Sequence, residues 1–384
     1  MKSEWKEHKV GEFVSFQNGF AFKSKDFSSS GKYKIIKIKE LKDGMVKFFA
    51  DSAQIDVKRE NDFDKYRVYN GDILFALTGD PVSKPNPLSW VGRVSIYNHS
   101  VPALLNQRVC KVIFTDKIYP LFFYYYFRKK ENFFALAAKA TGSASQANIS
   151  TSTISNMLIF LPNYESQKAI ADILYSIDDR IALNTAINEN LEQQAQAIFD
   201  NMFQNISYGT HIIGEVITPK RGKGLLSKNA IYGNVPVVAG GLEPSTYHNK
   251  ANTVSPVITI SASGANAGYV NLWHIPVWSS DSSFIDFEMT KDVYFWYVML
   301  KKRQREIYDA QTGSAQPHIY PQHIAGMSIG ELKRDDVSVY SKTVQPLFEM
   351  IGKNIAENKI LSAARDMLLP KLMNGEIDVS NVLF

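Results

Sequence analysis

Along residues 165–203, ESQKAIADILYSIDDRIALNTAINENLEQQAQAIFDNMF, the seam positions recur at alternating intervals of four and three. They run Ile170, Leu174, Ile177, Ile181, Asn184, Asn188, Leu191, Ala195, Ile198 and Met202. This a/d pattern is sustained over more than four heptads and predicts one long helix with a coiled-coil seam. At 1.5 Å per residue the helix would be roughly 58 Å long, more than a neighbouring globular domain needs for its own core. Further on, Leu347, Ile351, Asn354, Asn358, Leu361, Arg365, Leu368 and Leu372 repeat the seam at an offset of 170. The stretches that precede each helix have a different pattern. Short β-rich runs such as YKIIKIKEL, GDILFAL, RVCKVIF and PVITISA are broken by Gly, Pro, Asn and Ser, the mark of mixed, loop-rich domains with much sheet.

The repeated seam belongs to a longer repeat. TGSASQANIS at 141–150 is matched by TGSAQPHIY at 312–320, and FYYYFRKK at 123–130 by FWYVMLKK at 295–302. Ile149, Ile154, Met157 and Ile159 match Ile319, Ile324, Met327 and Ile329, and KVGEF at 9–13 faces IIGEV at 212–216. These matches keep one order, so the chain is two copies of one plan. The predicted organisation is a first domain at 1–160, a first long helix at 161–204, a second domain at 205–335, and a second long helix with a tail at 336–384. The fold class is α+β: two globular mixed α/β domains, each followed by a long helix, with the helices paired as an antiparallel coiled coil of pseudo-two-fold symmetry. In that pairing Asn184 meets Asn358 and Asn188 meets Asn354, since both pairs of numbers sum to 542. The expected shape is a rod with one domain near each end. A buried seam asparagine weakens the coil but fixes its register. Asparagines at the seam's edge would instead be solvated, and their recurrence in both copies favours the register role.

Composition narrows the class. A chain of 384 residues suggests two or more domains, and 45% apolar content is that of a folded protein. The single Cys110 excludes an internal disulfide and a multi-cysteine zinc site, and fits a reducing cytoplasm. MKSEWKEHKV is charged throughout and has no signal-peptide core, while YPLFFYYYF falls short of the roughly 20 residues a membrane helix needs. A soluble protein with no membrane contact is expected. The net charge of +5 is unevenly spread: +9 over 1–160, −5 over 165–203, +2 over 204–335 and −1 over 336–384. A basic first block suits a polyanion such as nucleic acid; a solvated lysine-rich surface has the same charge.

Catalytic motifs are missing. There is no Asn/Asp-Pro-Pro-aromatic motif (NPLSW has one proline), no Gly-x-Gly-x-x-Gly after a strand and no phosphate loop. DFEMTK at 286–291 has the wrong Glu–Lys spacing for a nuclease cluster. The histidines are scattered, and His318 and His323 have no evident co-ligands for a metal. No catalytic residue, metal or cofactor is expected in the chain.

Two similar modules on a spacer can read a polymer at two points, and DNA offers half-sites about 10 bp apart on one face. Modules that differ in sequence predict an asymmetric, bipartite target. Base edges are read by polar side chains, and Gln and Asn can bond adenine bidentately. The candidates in the repeated loop are Ser143, Ser145, Gln146 and Asn148 in the first copy and Ser314, Gln316 and His318 in the second. Thr141 and Gly142, common to both copies, read as scaffold. NGFAFKSKDF adds Lys23 and Lys25. TPKRGKGLLSK adds Lys220, Arg221 and Lys223 as a phosphate clamp. SASGANAG, aligned with LTGDPVSK, adds Ser263 and Asn266. A two-headed protein-interaction scaffold would also explain the rod and the repeat, but not the basic first block.

The combined pattern resembles the specificity (S) subunit of type I restriction–modification systems, across essentially the whole chain. FLPNYESQKAIADILYSIDDRIALNTAINENLEQQAQAIFDNMF and LLPKLMNGEIDV carry the resemblance most strongly, with GEFVSFQNGFAFKSKDF and the two TGSA loops. The resemblance implies two target-recognition domains, each reading about half of a split DNA sequence. It implies paired helices that act as a ruler and dock two methyltransferase (modification) subunits, with restriction (endonuclease/translocase) subunits joining a larger complex. S-adenosylmethionine, ATP and magnesium would then belong to those partners. One departure is the lead-in to the second helix, RDDVSVYSKTVQPLFEM, which lacks the LPNYESQKAIA of the first and implies unequal docking ends.

Overall fold

The computed structural model describes residues 5–28, 30–56, 60–204, 206–313 and 316–379; the side chains of 60–62 are outside this description. Its helices are α1 (Pro120–Arg128), α2 (Lys130–Ala137), α3 (Thr151–Ser155), α4 (Tyr164–Met202), α5 (Val293–Lys302), α6 (Gln304–Asp309), α7 (Pro321–Ala325) and α8 (Arg334–Met373). The chain divides into two units, one of residues 1–179 with 361–384 and the other of 180–360. Each unit therefore takes part of both long helices.

In the first unit, strands Val14–Asn18, Val109–Phe114, Ile73–Ala76, Val94–Ile96, Met45–Val46 and Leu41–Lys42 form one sheet in that order. Its central strand Ile73–Ala76 is an apolar run buried at every position, so it reads as continuous rather than alternating. A second sheet holds Tyr33–Ile36 parallel to Ala103–Leu105. Pro120 starts α1, where its missing N–H and fixed φ suit the first helical turn. Phe122, Phe123 and Phe127 of that helix are fully buried with Phe75 and Cys110. Complete burial of a phenylalanine stabilises by about 1.5–3 kcal/mol, so this aromatic layer is a main support of the unit. The Cys110 thiol is pushed up to about 12 by burial, which makes it a core side chain rather than a reactive one. The start of α4 (Ile170, Ala171, Leu174) and the end of α8 (Leu372, Met373) complete this core.

The second unit is built on the same plan. Strands Lys220–Arg221, Ser282–Asp286, Val257–Ser261 and Val270–Trp273 pair in that order, matching the first four strands of the larger sheet above. Val235–Val238 runs parallel to Trp278–Ser279, as Tyr33–Ile36 does to Ala103–Leu105. His211–Ile212 pairs antiparallel with Ser328–Ile329, as Lys6–Lys9 does with Leu158–Leu161. Helices α5, α6 and α7 take the places of α1, α2 and α3. Phe199 of α4 and Phe203 just beyond its end pack with Phe295 and with Tyr340 of α8, an aromatic cluster with ring centroids 5.0–6.0 Å apart.

Within this unit α4 and α8 run antiparallel. Asn184 Nδ2 donates to Asn358 Oδ1 at 2.9 Å, and Asn354 Nδ2 to Asn188 Oδ1 at 2.8 Å. Arg180 pairs with Glu357 at 3.2 Å beside them. Every seam position of α4 is buried or half-buried, and Asn184 is almost fully buried, so the asparagines lie inside the seam rather than at its edge.

Candidate nucleic-acid interface

The stretch 141–148 is a hairpin rather than an open loop. Thr141–Ser143 pairs with Gln146–Asn148, which in turn pairs with Thr78–Gly79 at the end of a core strand. The second unit makes the same join with fewer bonds: His318 bridges both Thr312 and Ser263. One backbone bond marks the equivalence, Ile149 N–H to Leu77 C=O in the first unit and Ile319 N–H to Ala262 C=O in the second, each 2.9 Å. In each unit the structure thus brings together the two loops that the sequence treats separately, TGSA with TGDPVSK and TGSA with SASGANAG.

The shared glycines have a backbone reason. Gly142 has φ of 136° and Gly313 has φ of 95°, values that L side chains rarely adopt. A Cβ at Gly142 would lie 2.2 Å from Gln146 O, and at Gly313 2.5 Å from Gln316 O. Each hairpin thus carries a positive-φ glycine with no room for a Cβ at the same point, the second pairing Thr312 with His318 over a span one residue shorter, and the side chains that follow the glycines differ. Ser143, Ser145 and Gln146 are exposed, with the two serine hydroxyls 2.9 Å apart. Asn148 is half-buried, and its carbonyl oxygen accepts from the Thr78 hydroxyl at 2.8 Å. In the second unit Gln316 is exposed, and the His318 ring stacks on exposed Tyr320 at 5.9 Å. Ser314 lies outside the described residues.

Beside this second hairpin, Asp281 gathers two of the predicted residues. Its carboxylate accepts from Arg221 Nη2 at 2.7 Å and from the Ser263 hydroxyl. Asp281 thereby orients the guanidinium, and among the described residues Nε and Nη1 make no hydrogen bond. Lys220 and Lys223 are exposed on the same segment, and the Lys223 carbonyl is held by Trp278 Nε1 at 2.8 Å. Asn266 is half-buried in the turn, where its carbonyl accepts from Tyr269 N–H. In the first unit the matching loop is tied down internally: Ser89 Oγ donates to Asp80 at 2.6 Å and Trp90 Nε1 to the Lys84 carbonyl at 2.8 Å. Lys23 and Lys25 are exposed at the short turn Ser24–Asp26, near a cluster of Phe20, Phe22, Phe63 and Tyr66.

Sequence reasoning missed Asp281 and Thr78, the carboxylate and hydroxyl that hold the candidate side chains. Asp281 is 60 residues from Arg221 and no local motif marks it. Asp286, from the DFEMTK stretch, is buried and accepts from the N–H groups of Val254 and Met289, which gives it a structural place. Among the described residues no helix is long and apolar enough to cross a membrane.

A family model described as the type I restriction modification DNA specificity domain matches residues 2–193, half of the chain. The chain belongs to that family. The specificity subunit of the type I restriction enzyme MjaVIII of Methanocaldococcus jannaschii is 28% identical over 200 residues, 51% of this chain and 45% of that protein. The specificity subunit of the HindI enzyme of Haemophilus influenzae is 22% identical over 346 residues, 64% of this chain and 74% of that protein. This chain thus spans less than half of the MjaVIII subunit and about three quarters of the HindI subunit. A crystal structure of the type I restriction–modification S subunit from M. genitalium aligns with a TM-score of 0.64 and 20% identity, over 97% of this chain and 96% of that one. At that identity the likeness is one of fold.

Proposed function

We propose that this chain is the sequence-reading subunit of a type I restriction–modification complex, without catalytic residues of its own. It reads an asymmetric, bipartite DNA target, one part with the loops of each unit. The observation that carries this is the duplicated hairpin. Gly142 and Gly313 hold the same place, with positive φ and no room for a Cβ, while the side chains presented after them differ, Ser143, Ser145 and Gln146 in one unit against Gln316 and His318 in the other. A shared scaffold with divergent polar tips suits two readers of two different half-sites. Gln146, Gln316 and His318 are the base readers on this reading. Lys23, Lys220, Arg221 and Lys223 hold phosphates, and Ser145, Ser263, Asn148 and Asn266 shape the loops that approach the groove.

The helices α4 and α8 serve as the spacer and dock two methyltransferase subunits, which restriction subunits join. S-adenosylmethionine, ATP and magnesium are bound by those partners, and the complex works in the cytoplasm. The test is the salt dependence of DNA binding by this chain with its methyltransferase subunit. Neutralising several phosphates makes the affinity fall steeply with salt, by roughly 10³-fold or more between 50 and 200 mM when six or more contacts are made. A complex whose weak DNA binding does not respond to salt fits a protein-interaction scaffold instead.

A further inference from the structure

The front of the repeat contains a match that an offset of 170 hides. At an offset of 203, Gly19, Phe22, Ser24, Lys25 and Asp26 align with Gly222, Leu225, Ser227, Lys228 and Asn229. The structure shows the same element at both places. Ser24–Asp26 and Ser227–Asn229 are each one short 3-10 turn. Asp26 N–H bonds the Lys23 carbonyl at 2.9 Å and Phe27 N–H the Ser24 carbonyl at 3.3 Å. In the second unit Asn229 N–H bonds the Leu226 carbonyl at 2.8 Å and Ala230 N–H the Ser227 carbonyl at 3.2 Å. Gly19 and Gly222 both stand where a Cβ would strike backbone, 2.1 Å from Asn106 O and 2.5 Å from Ser279 O.

Most of what the two turns share has a reason inside the fold. The glycines permit the close approach, and Phe22 and Leu225 are half-buried beneath their turns. The lysine has none. Lys25 and Lys228 are both exposed, and among the described residues neither has a hydrogen-bond, ion-pair or ring partner. Around them the turns have diverged: Lys23 is replaced by Leu226, Asp26 by Asn229 and Phe27 by Ala230. A charge kept at one place in two domains with different targets must meet something that both targets share. Every half-site shares the phosphate backbone, whatever its bases.

We infer that Lys25 and Lys228 are an equivalent pair of phosphate contacts, one in each unit, that position DNA without reading its sequence. The inference rests on the DNA-recognition reading above. Lys228 is the stronger of the two, because its turn carries neutral Asn229 where the first carries the Asp26 carboxylate. The experiment uses the full chain with its methyltransferase subunit. Wild type, Lys25→Gln, Lys228→Gln, the double variant and the Lys→Arg variants are titrated with a duplex bearing the methylated motif over a salt series. Two further duplexes have one half-site scrambled each.

Each neutral variant is expected to lower the magnitude of the log K against log salt slope by about 0.9, and the double variant by about twice that. The loss is equal on all three duplexes, arginine restores it, and the methylated motif is unchanged. Neutral variants with wild-type slopes would overturn the inference and leave both lysines as solvated charges. A variant that changes the preferred bases, or weakens only the intact duplex, would overturn it in favour of base reading. A wild-type complex that binds no DNA overturns the recognition reading itself, and this inference with it.

Discussion

Asn184 Nδ2 stands 2.9 Å from Asn358 Oδ1 and 2.8 Å from Glu357 Oε2, so both of its amide protons are spent across the helix pair. One residue thereby fixes the axial position of α4 against α8 within its unit. Replacing it with leucine leaves the half-buried amide oxygen of Asn358 without its donor, which costs about 1 kcal/mol. Asn184→Leu should therefore lower the urea midpoint, and Asn184→Leu with Asn358→Leu should lower it by less than the sum of the single changes. Equal additive losses would mean that the two asparagines do not act as a pair.

The neighbouring rung gives a direct test of register. Asn188→Cys with Asn354→Cys should form a disulfide on mild oxidation, because these side chains face each other at 2.8 Å. The native Cys110 is buried and does not compete. A cysteine pair displaced by one heptad, Asn188→Cys with Leu361→Cys, should stay reduced; the reverse outcome would contradict the antiparallel register.

A second asymmetry separates the two units. In the first, Asp178 accepts from Arg365 at 2.7 Å, from Arg128 at 2.9 Å and from the Tyr125 hydroxyl at 2.8 Å. The matching positions of the second unit are Ala195, Leu300 and Phe348, all fully buried. An ionic junction in one copy is thus an apolar one in the other. Breaking the ionic one by Asp178→Asn leaves Arg128 without its carboxylate and Arg365 with the exposed Asp366 alone, and should cost about 3 kcal/mol. Asp178→Phe together with Arg128→Leu and Arg365→Ala copies the apolar junction and should recover most of that loss in thermal unfolding.

His274 gives a pH dependence. Its ring abuts α8 at Gly352, where a Cβ would lie 2.9 Å away, and burial depresses its pKa to about 4. The folded chain therefore holds the ring neutral, while the unfolded chain protonates it near 6.5. Its effect on stability is constant above pH 6.5 and turns unfavourable as pH falls from there to about 4, by roughly 2–3 kcal/mol in all. His274→Gln should flatten the unfolding midpoint over that range, and an unchanged pH profile would show that another group is responsible.

Much of this was legible in the sequence, and the reason is periodicity. The 4–3 spacing of the seam and the equal sums of Asn184 with Asn358 and Asn188 with Asn354 required only counting. The repeat was legible at its back half because the offset there holds near 170. At the front only KVGEF against IIGEV showed the offset of 203, since the first domain carries extra strands, Leu41–Lys42 and Met45–Val46, that have no counterpart among the described residues. For that reason Lys25 and Lys228 did not read as one position. Asp178 and Asp281 were illegible for a different reason: Asp178 meets Arg128 50 residues away and Asp281 meets Arg221 60 residues away, and no local pattern marks such a meeting. The TGSA stretch read as a loop because its small polar residues are turn formers, whereas pairing with Gln146–Asn148, itself paired to Thr78–Gly79, makes it a strand.

The duplicated turn makes its own prediction. Gly142→Ala and Gly313→Ala each place a Cβ on a carbonyl oxygen and force a φ that alanine resists, at about 1–3 kcal/mol of local strain. Gly71→Ala, where φ is 92° but nothing lies within 4 Å, is the control for backbone strain alone. The hairpin variants should stay folded by circular dichroism yet lose DNA affinity, and Gly71→Ala should keep it.

The central claim is that this chain chooses the DNA sequence. Its most direct test is to co-express the chain with its methyltransferase subunit and map modified bases across the host DNA by single-molecule sequencing. The account predicts a split, asymmetric motif that disappears when the chain is left out and changes in one half only when the exposed residues of one hairpin are exchanged. A soluble complex of the two proteins that adds no modification, or adds the same motif without this chain, would contradict it.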